Sequence, residues 1–154
     1  MKETTGQAAG GGAPPVQRAE SDEAIGRCAP LFRELRPQVR EGTLVERIRR
    51  QEREHGYRLV CVEEGGAPVA LAGYRVTEFL AWGRVLYVDD LVTVPVARGR
   101  GYGGVLMDWL LEEARRLGCE ELHLDSGVHR FSAHRLYHSR RLEISSHHFS
   151  IRLR

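Results

Sequence analysis

The chain has 154 residues, with 23 Lys and Arg against 21 Asp and Glu, a formal net charge of +2, and 42% hydrophobic residues. That length suits one domain with a buried core, and the composition is that of a globular chain rather than a fibrous or disordered one. So small a charge excess gives no footing for nucleic acid or a membrane surface, and no apolar run approaches the ~20 residues of a membrane span.

The cysteines, Cys28, Cys61 and Cys119, are odd in number in a chain large enough not to need disulfide staples. Reduced thiols and a cytoplasmic location are expected. The N-terminus lacks the basic start and apolar core of an export signal.

Residues 1–15, rich in Gly, Ala, Thr and Pro, have almost nothing to bury and are predicted to be a disordered tail. Residues 16–154 are predicted to be a single domain. A short strand from Val16 precedes Ser21, a good N-cap for a helix carrying Ile25, Cys28, Ala29 and Phe32. Pro30 predicts a kink or break in that helix, and Pro37 ends it. A second helix spans about Thr43 to Glu54. Tyr57 to Glu63 alternates as a strand, Glu64-Gly65-Gly66-Ala67 turns, and Val69 to Val76 returns. Gly73 inside the returning strand predicts a bulge or a close backbone approach. The run from Val85 to Val94 makes a third strand of an antiparallel meander, which Pro95 ends. Tyr102, Val105, Leu106, Trp109, Leu110 and Leu117 then form one apolar helix face. Gly118 is a natural residue just past its end. Glu121 to Asp125 is the next strand, parallel to the Val85 strand if its crossover is right-handed. A helix follows from about Arg130 to Arg140, and Ile144, Phe149, Ile151 and Leu153 predict further strand. The expected fold is α/β: a mixed, mostly antiparallel sheet of six or seven strands with helices on both faces.

Between the third strand and the long helix lies Arg98-Gly99-Arg100-Gly101-Tyr102-Gly103-Gly104. A helix N-terminus leaves backbone N–H groups unpaired at the positive end of its dipole, and glycines let the backbone close on an anion. These residues therefore predict a phosphate cradle, with Arg98 and Arg100 adding charge. Gly99-x-Gly101-x-x-Gly104 also fits a dinucleotide fingerprint, with Asp125 about 20 residues on. That reading places the fingerprint late in the chain and leaves too few residues after Asp125 for a second mononucleotide-binding half. No Lys-Ser or Lys-Thr follows the glycines, which excludes a P-loop.

Arg98-x-x-Gly101-x-Gly103 resembles the motif by which GNAT-superfamily N-acetyltransferases hold the pyrophosphate of acetyl-CoA. Ala133 and Tyr137 are similar to that family's Ala-x-x-x-Tyr pair, and the resemblance runs from about Leu59 to Leu153. The family's following Gly-Phe is absent. Arg141-Leu142 stands there, where Gly would relieve a left-handed residue at a helix end. The resemblance implies the GNAT fold and acetyl-CoA held by Arg98, Gly99, Arg100, Gly101, Tyr102, Gly103 and Gly104. It also implies that Leu91, Val92 and Thr93 contact the pantetheine arm, and that Tyr137 protonates the departing thiolate. Asp125, or otherwise Asp90, is the candidate base for the amine. Asp89 and Asp90, adjacent on a strand, are expected on opposite faces.

The implied activity is direct acetyl transfer to a primary amine, on a small molecule or a peptide. A non-catalytic acyl-CoA-binding sensor and a nucleotide-binding oxidoreductase are the alternatives. His134 and His138 share a helix face, but no Glu gives a zinc-protease pattern, so no metal is expected. The partners expected are the amine acceptor alone, without nucleic acid or membrane, and a homodimer is left open.

Overall fold

The computed structural model describes residues 12–154. Most of the predicted tail, residues 1–11, therefore lies outside the described residues, and residues 12–15 carry no regular secondary structure. Five strands follow among the described residues: β1 (Val16–Arg18), β2 (Arg58–Glu64), β3 (Ala67–Phe79), β4 (Gly83–Thr93) and β5 (Glu121–Leu124). They form one sheet in chain order. The first four pair antiparallel, and β5 joins β4 in parallel through the α4 (Tyr102–Arg116) crossover. The other helices are α1 (Asp22–Arg27), α2 (Ala29–Leu35), α3 (Leu44–His55) and α5 (Phe131–Ser139).

The local signals explain these boundaries. Ser21 caps α1 by accepting from the Ala24 amide at 3.0 Å, and Pro30 lies in the first turn of α2, so the predicted break is real. Helix α2 ends at Leu35, two residues before Pro37, because a residue preceding proline avoids the helical region.

Strand alternation divides the core in two. Val60, Val62, Ala72, Tyr74, Leu86 and Val88 pack with Leu106, Met107 and Leu110 of α4 and Tyr137 of α5. On the other face Leu59, Cys61, Leu71 and Val92 pack with Ile25, Leu31, Phe32 and Ile48 of α1–α3. One carboxylate is buried in the first layer. Glu113 of α4 accepts from Arg18 of β1 at 2.9 Å, Tyr74 Oη of β3 at 3.0 Å and Arg116 Nε at 2.7 Å. The Arg116 bond leads the causes that hold this carboxyl below its usual range, so the buried charge ties three elements together.

Two expectations are corrected here. The sheet has five strands among the described residues, not six or seven, because residues 142–154 carry no helix or strand. Phe149, Ile151 and Leu153 alternate as a strand would, but a strand also needs a ladder partner, and this segment pairs with none among the described residues. Asp89 and Asp90 do not face opposite ways either. In the register Gly73 opposes Asp90 while Tyr74 opposes Val88, which makes Asp89 the extra residue of a bulge. The bulge breaks the alternation, and both carboxylates turn to the α1–α3 face.

Gly73 lies opposite that bulge, whose extra residue is on β4 rather than on the returning strand, and what approaches its backbone closely is a side chain. A Cβ there would overlap the Tyr57 hydroxyl, so the ring of Tyr57 rests on bare backbone. Gly73→Ala should therefore cost about 1–3 kcal/mol through overpacking. The check is the urea unfolding midpoint, and the loss should shrink when Tyr57→Ala has already removed the ring.

Candidate active site

After β4, Pro95–Ala97 form a single 3-10 turn, and the chain enters α4 through Gly99 and Gly101 at φ of 77° and 88°. Gly101 is the N-cap, and no side chain caps the helix. The first amide bonded into α4 is that of Val105, to Gly101 at 3.1 Å, so helix geometry leaves those of Tyr102, Gly103 and Gly104 available. Space above Gly99 and Gly101 is open: a Cβ on either would meet nothing within 4 Å. The other two glycines serve a different end. A Cβ on Gly103 would lie 3.1 Å from Leu136, and one on Gly104 would lie 2.5 Å from Arg140, so they admit α5 against α4.

Both arginines of the loop have carboxylate partners. Arg98 pairs with Glu34 of α2 at 2.6 Å and donates to the Thr93 carbonyl at 3.3 Å. Arg100 pairs with Glu64 at the end of β2 and lies 5.4 Å from the Tyr102 ring centroid, while Tyr102 Oη donates to Glu64 at 2.8 Å. The Arg100 bond is the main cause of the lowered Glu64 pKa. Sequence reasoning found the arginines and missed their partners, which lie 64 and 36 residues away in the chain.

The sheet opens beside this loop. Pairing between β4 and β5 runs only from Val85–Glu121 to Val88–Leu124. Beyond it, Asp90 to Thr93 continue against β3 alone, and the chain after Leu124 turns away toward α5. Leu91, Val92 and Thr93 line the free side of that fork.

Several polar side chains gather at the fork on the α1–α3 face. Asp90 accepts from Tyr57 Oη at 2.8 Å and Arg36 Nε at 2.9 Å. Asp89 accepts from Arg75, whose guanidinium lies 5.9 Å from the Tyr57 ring centroid and also donates to Gln51 at 2.8 Å. Burial, then the Asp90 charge, pushes the Tyr57 hydroxyl well above its ordinary pKa, so it stays a donor. Asp125 is exposed, accepts from Tyr87 Oη, and has His148 Nδ1 3.4 Å away. Asp90 is thus held by two partners in the fold, whereas Asp125 faces solvent. Tyr57, Arg75, Arg36 and Tyr87 carry no motif. Only the bulge signal at Gly73 pointed toward them.

Tyr137 comes to the fork from the opposite face. Its ring is buried in the α4–α5 core, and burial raises its pKa, opposed by Arg130 and the Ser126 hydroxyl beside it. His134, one turn back, bonds Ser126 Oγ at 3.1 Å and the Gly127 carbonyl at 3.0 Å, which fixes the end of β5 against α5. His138 bonds the Leu142 carbonyl at 3.1 Å. Among the described residues, no three His, Cys, Asp or Glu gather where a metal could be held.

The end of α5 resolves the missing Gly-Phe. The Leu142 amide donates to the Tyr137 carbonyl at 3.1 Å and the Arg141 amide to that of His138 at 2.9 Å, a Schellman closure. That motif needs a left-handed residue, and Arg141 supplies it at φ 63°, the one non-glycine with positive φ among the described residues. Leu142 then packs on the same core as Tyr137.

Comparison with known proteins agrees with this geometry. The family model described as "Acetyltransferase (GNAT) family" matches residues 25–141. An uncharacterized N-acetyltransferase of Bacillus subtilis, YhdJ, is 31% identical over 122 residues, covering 79% of this chain and 86% of its own. A structure described as a transcriptional regulator from Bacillus halodurans superposes with a TM-score of 0.81 at 18% identity, covering 92% of this chain and all of its own. AAC(6')-Iy in complex with a CoA-containing bisubstrate analog superposes at 0.78 and 12% identity, covering 93% and 99%. At those identities the two structures show the shared fold.

Arg141 generates a direct test. A non-glycine in the left-handed region is strained by about 1–2 kcal/mol, partly offset by the greater unfolded-state freedom of glycine. Arg141→Gly should therefore stabilise the protein by about 0.5–1 kcal/mol, read as a higher unfolding midpoint.

Proposed function

This chain belongs to the acetyltransferase (GNAT) family, and on that footing we propose that it moves an acetyl group from acetyl-CoA directly to a primary amine. The carrying observation is the juxtaposition at the fork: uncapped α4 amides, the open side of β4, Tyr137 from one face and Asp125 from the other. The amides and open space at Gly99 and Gly101 fit a pyrophosphate. They would hold it together with the amides of Arg100, Tyr102, Gly103 and Gly104 and the charges of Arg98 and Arg100. Leu91 to Thr93 would take the pantetheine arm along the free strand edge. Acetyl-CoA supplies an acyl thioester activated toward amines.

The chain's own residues divide the proton work. Asp125, exposed and oriented by Tyr87, would take the proton an ammonium must lose before it can attack. Asp90, fully engaged by Arg36 and Tyr57, would position β4 instead. A backbone amide of the free β4 edge near Val92 would hold the carbonyl oxygen as it gains charge. Tyr137, whose raised pKa keeps it a phenol at neutral pH, would give its proton to the departing thiolate. The C–N bond forms and the C–S bond breaks as the nitrogen gives up two protons, one to Asp125 before attack and a second after it, which makes good the proton that Tyr137 passes to the thiolate.

The acceptor amine, on a small molecule or a peptide, would enter from the α1–α3 face, because α4 and α5 cover the other. A panel of amines assayed for free CoA thiol tests the reading. Acetyl-CoA binding with no transfer to any amine would favour the sensor. Tyr137→Phe should lower turnover ~10²-fold or more while leaving acetyl-CoA affinity nearly unchanged. Near-normal turnover would make Tyr137 a packing residue.

The pH profile separates the carboxylates. Asp125→Asn should lower the rate ~10-fold or more at pH 7 and far less near pH ~10, where an ordinary amine deprotonates unaided. A deficit that stays constant with pH would mean that Asp125 only shapes the loop. Rescue at high pH in Asp90→Asn alone would reverse the two roles.

A further inference from the structure

We infer that the acceptor is a zwitterionic amine, an amino acid whose anionic end is held by Arg36 while its ammonium reaches Asp125. The inference rests on the proposed reading of the fork as the place of transfer, and adds which amines that place selects.

Local chemistry puts Arg36 there. Pro37 bars the residue before it from helical backbone, so Arg36 leaves α2 at φ −130° and ψ 62°. Both of its backbone groups are bonded all the same. Its amide donates to the Phe32 carbonyl at 2.6 Å, and its carbonyl accepts from the Val39 amide at 2.8 Å. From that fixed point the side chain crosses to β4, where Nε donates to Asp90 Oδ1 at 2.9 Å and Nη2 to the Asp89 carbonyl at 2.8 Å. Asp89 is the first residue past the last β4–β5 pair, Val88 with Leu124. The guanidinium therefore stands at the mouth of the fork.

A guanidinium offers a carboxylate either its side edge, Nε with Nη2, or its end edge, Nη1 with Nη2. Asp90 and the Asp89 carbonyl take the side edge of Arg36. Its end edge has no protein acceptor among the described residues, and the side chain is 41% exposed. Arg75, the other arginine on this face of the fork, spends Nη2 on both Asp89 and Gln51, so it keeps no complete edge. Asp125 supplies the opposite charge. It follows Leu124 on β5, which sets it across from Asp89, and its side chain is 52% exposed. Paired strands lie about 5 Å apart and these two are parting, so the two open charges suit an ammonium and an acid separated by about one to four carbons. A neutral amine would leave the Arg36 edge unpaired, and a polyamine would bring a second cation against it.

Calorimetry on the full chain saturated with CoA tests this. The probes are glycine, β-alanine and γ-aminobutyrate, each against its own amide, which keeps the ammonium and loses the anion. At least one acid should bind ~10-fold or more tighter than its amide. Arg36→Gln should collapse that ratio toward one, and Arg36→Lys, which keeps the charge without the fork, should restore part of it. Should Arg36→Gln not fold, the Lys variant decides, with a ratio below that of the native chain. Acids that bind no better than their amides overturn the inference. So does a preference that the Arg36 variants leave intact, or a loss that falls equally on acid and amide. The same pairs assayed with acetyl-CoA for free thiol should show the same order in kcat/KM. Acid binding that depends on Arg36 without any transfer would fault the proposed activity alone, and transfer to amides or polyamines ahead of acids would fault this inference alone.

Discussion

The site depends on a parallel pairing that stops early. Four residue pairs join β4 to β5, and then the strands part. The cause lies on β4 itself. The bulge at Asp89 adds local twist and bends the strand at the residue where β5 leaves it. Antiparallel pairing with β3 continues past the bulge to Thr93, so the bent half of β4 stays rigid while its other edge is bare. Unpaired strand edges inside a core would be costly. Here the bare edge lies against the N-terminus of α4, where a bound chain can satisfy both.

The charges around the fork are arranged so that exchange is cheap. Arg98 and Arg100 are held by Glu34 and Glu64 in exposed pairs, which solvent screens and which are therefore weak. Replacing such a carboxylate with a pyrophosphate oxygen on the same guanidinium gives back a bond of equal or greater strength. The partners on the other side of the fork are different in kind. Asp90, nearly buried, is locked by Arg36 and Tyr57, and Tyr57 in turn needs the bare backbone of Gly73. That network ties the bend of β4 to α3, to the Arg36 loop and to Tyr57.

Periodicity and punctuation made most of this legible in the sequence. Ser21, Pro30, Pro37, Pro95, Gly101 and Gly118 mark element ends by local chemistry alone, and those ends lie where such residues put them. The glycine turn before α4 was legible because it is a backbone feature, and glycine spacing reports backbone directly. What escaped was set by neighbours distant in the chain. The shared face of Asp89 and Asp90 follows from a register shift against β3, and alternation along one strand cannot reveal it. The carboxylates on Arg98 and Arg100 come from α2 and β2. The segment from Ile144 to Leu153 has the pattern of a strand, but pattern specifies a face and not a partner.

Tyr137 shows how position and protonation are set by the same packing. Its ring is a core residue of the α4–α5 layer, and the burial that holds it also raises its pKa. The helix that carries it is pinned at both ends, by His134 on the close of β5 and by the Schellman closure at Arg141, whose first acceptor is the Tyr137 carbonyl. Gly103 and Gly104 bring α4 close enough to α5 that the glycine turn and the phenol belong to one packed unit. Asp125 has the opposite character: exposed, held by one tyrosine, and on the other face of the sheet. A phenol fixed in the core and a carboxylate at the surface, on opposite faces of one sheet, can reach a common atom only where the sheet between them is open, and β4 and β5 part beside them.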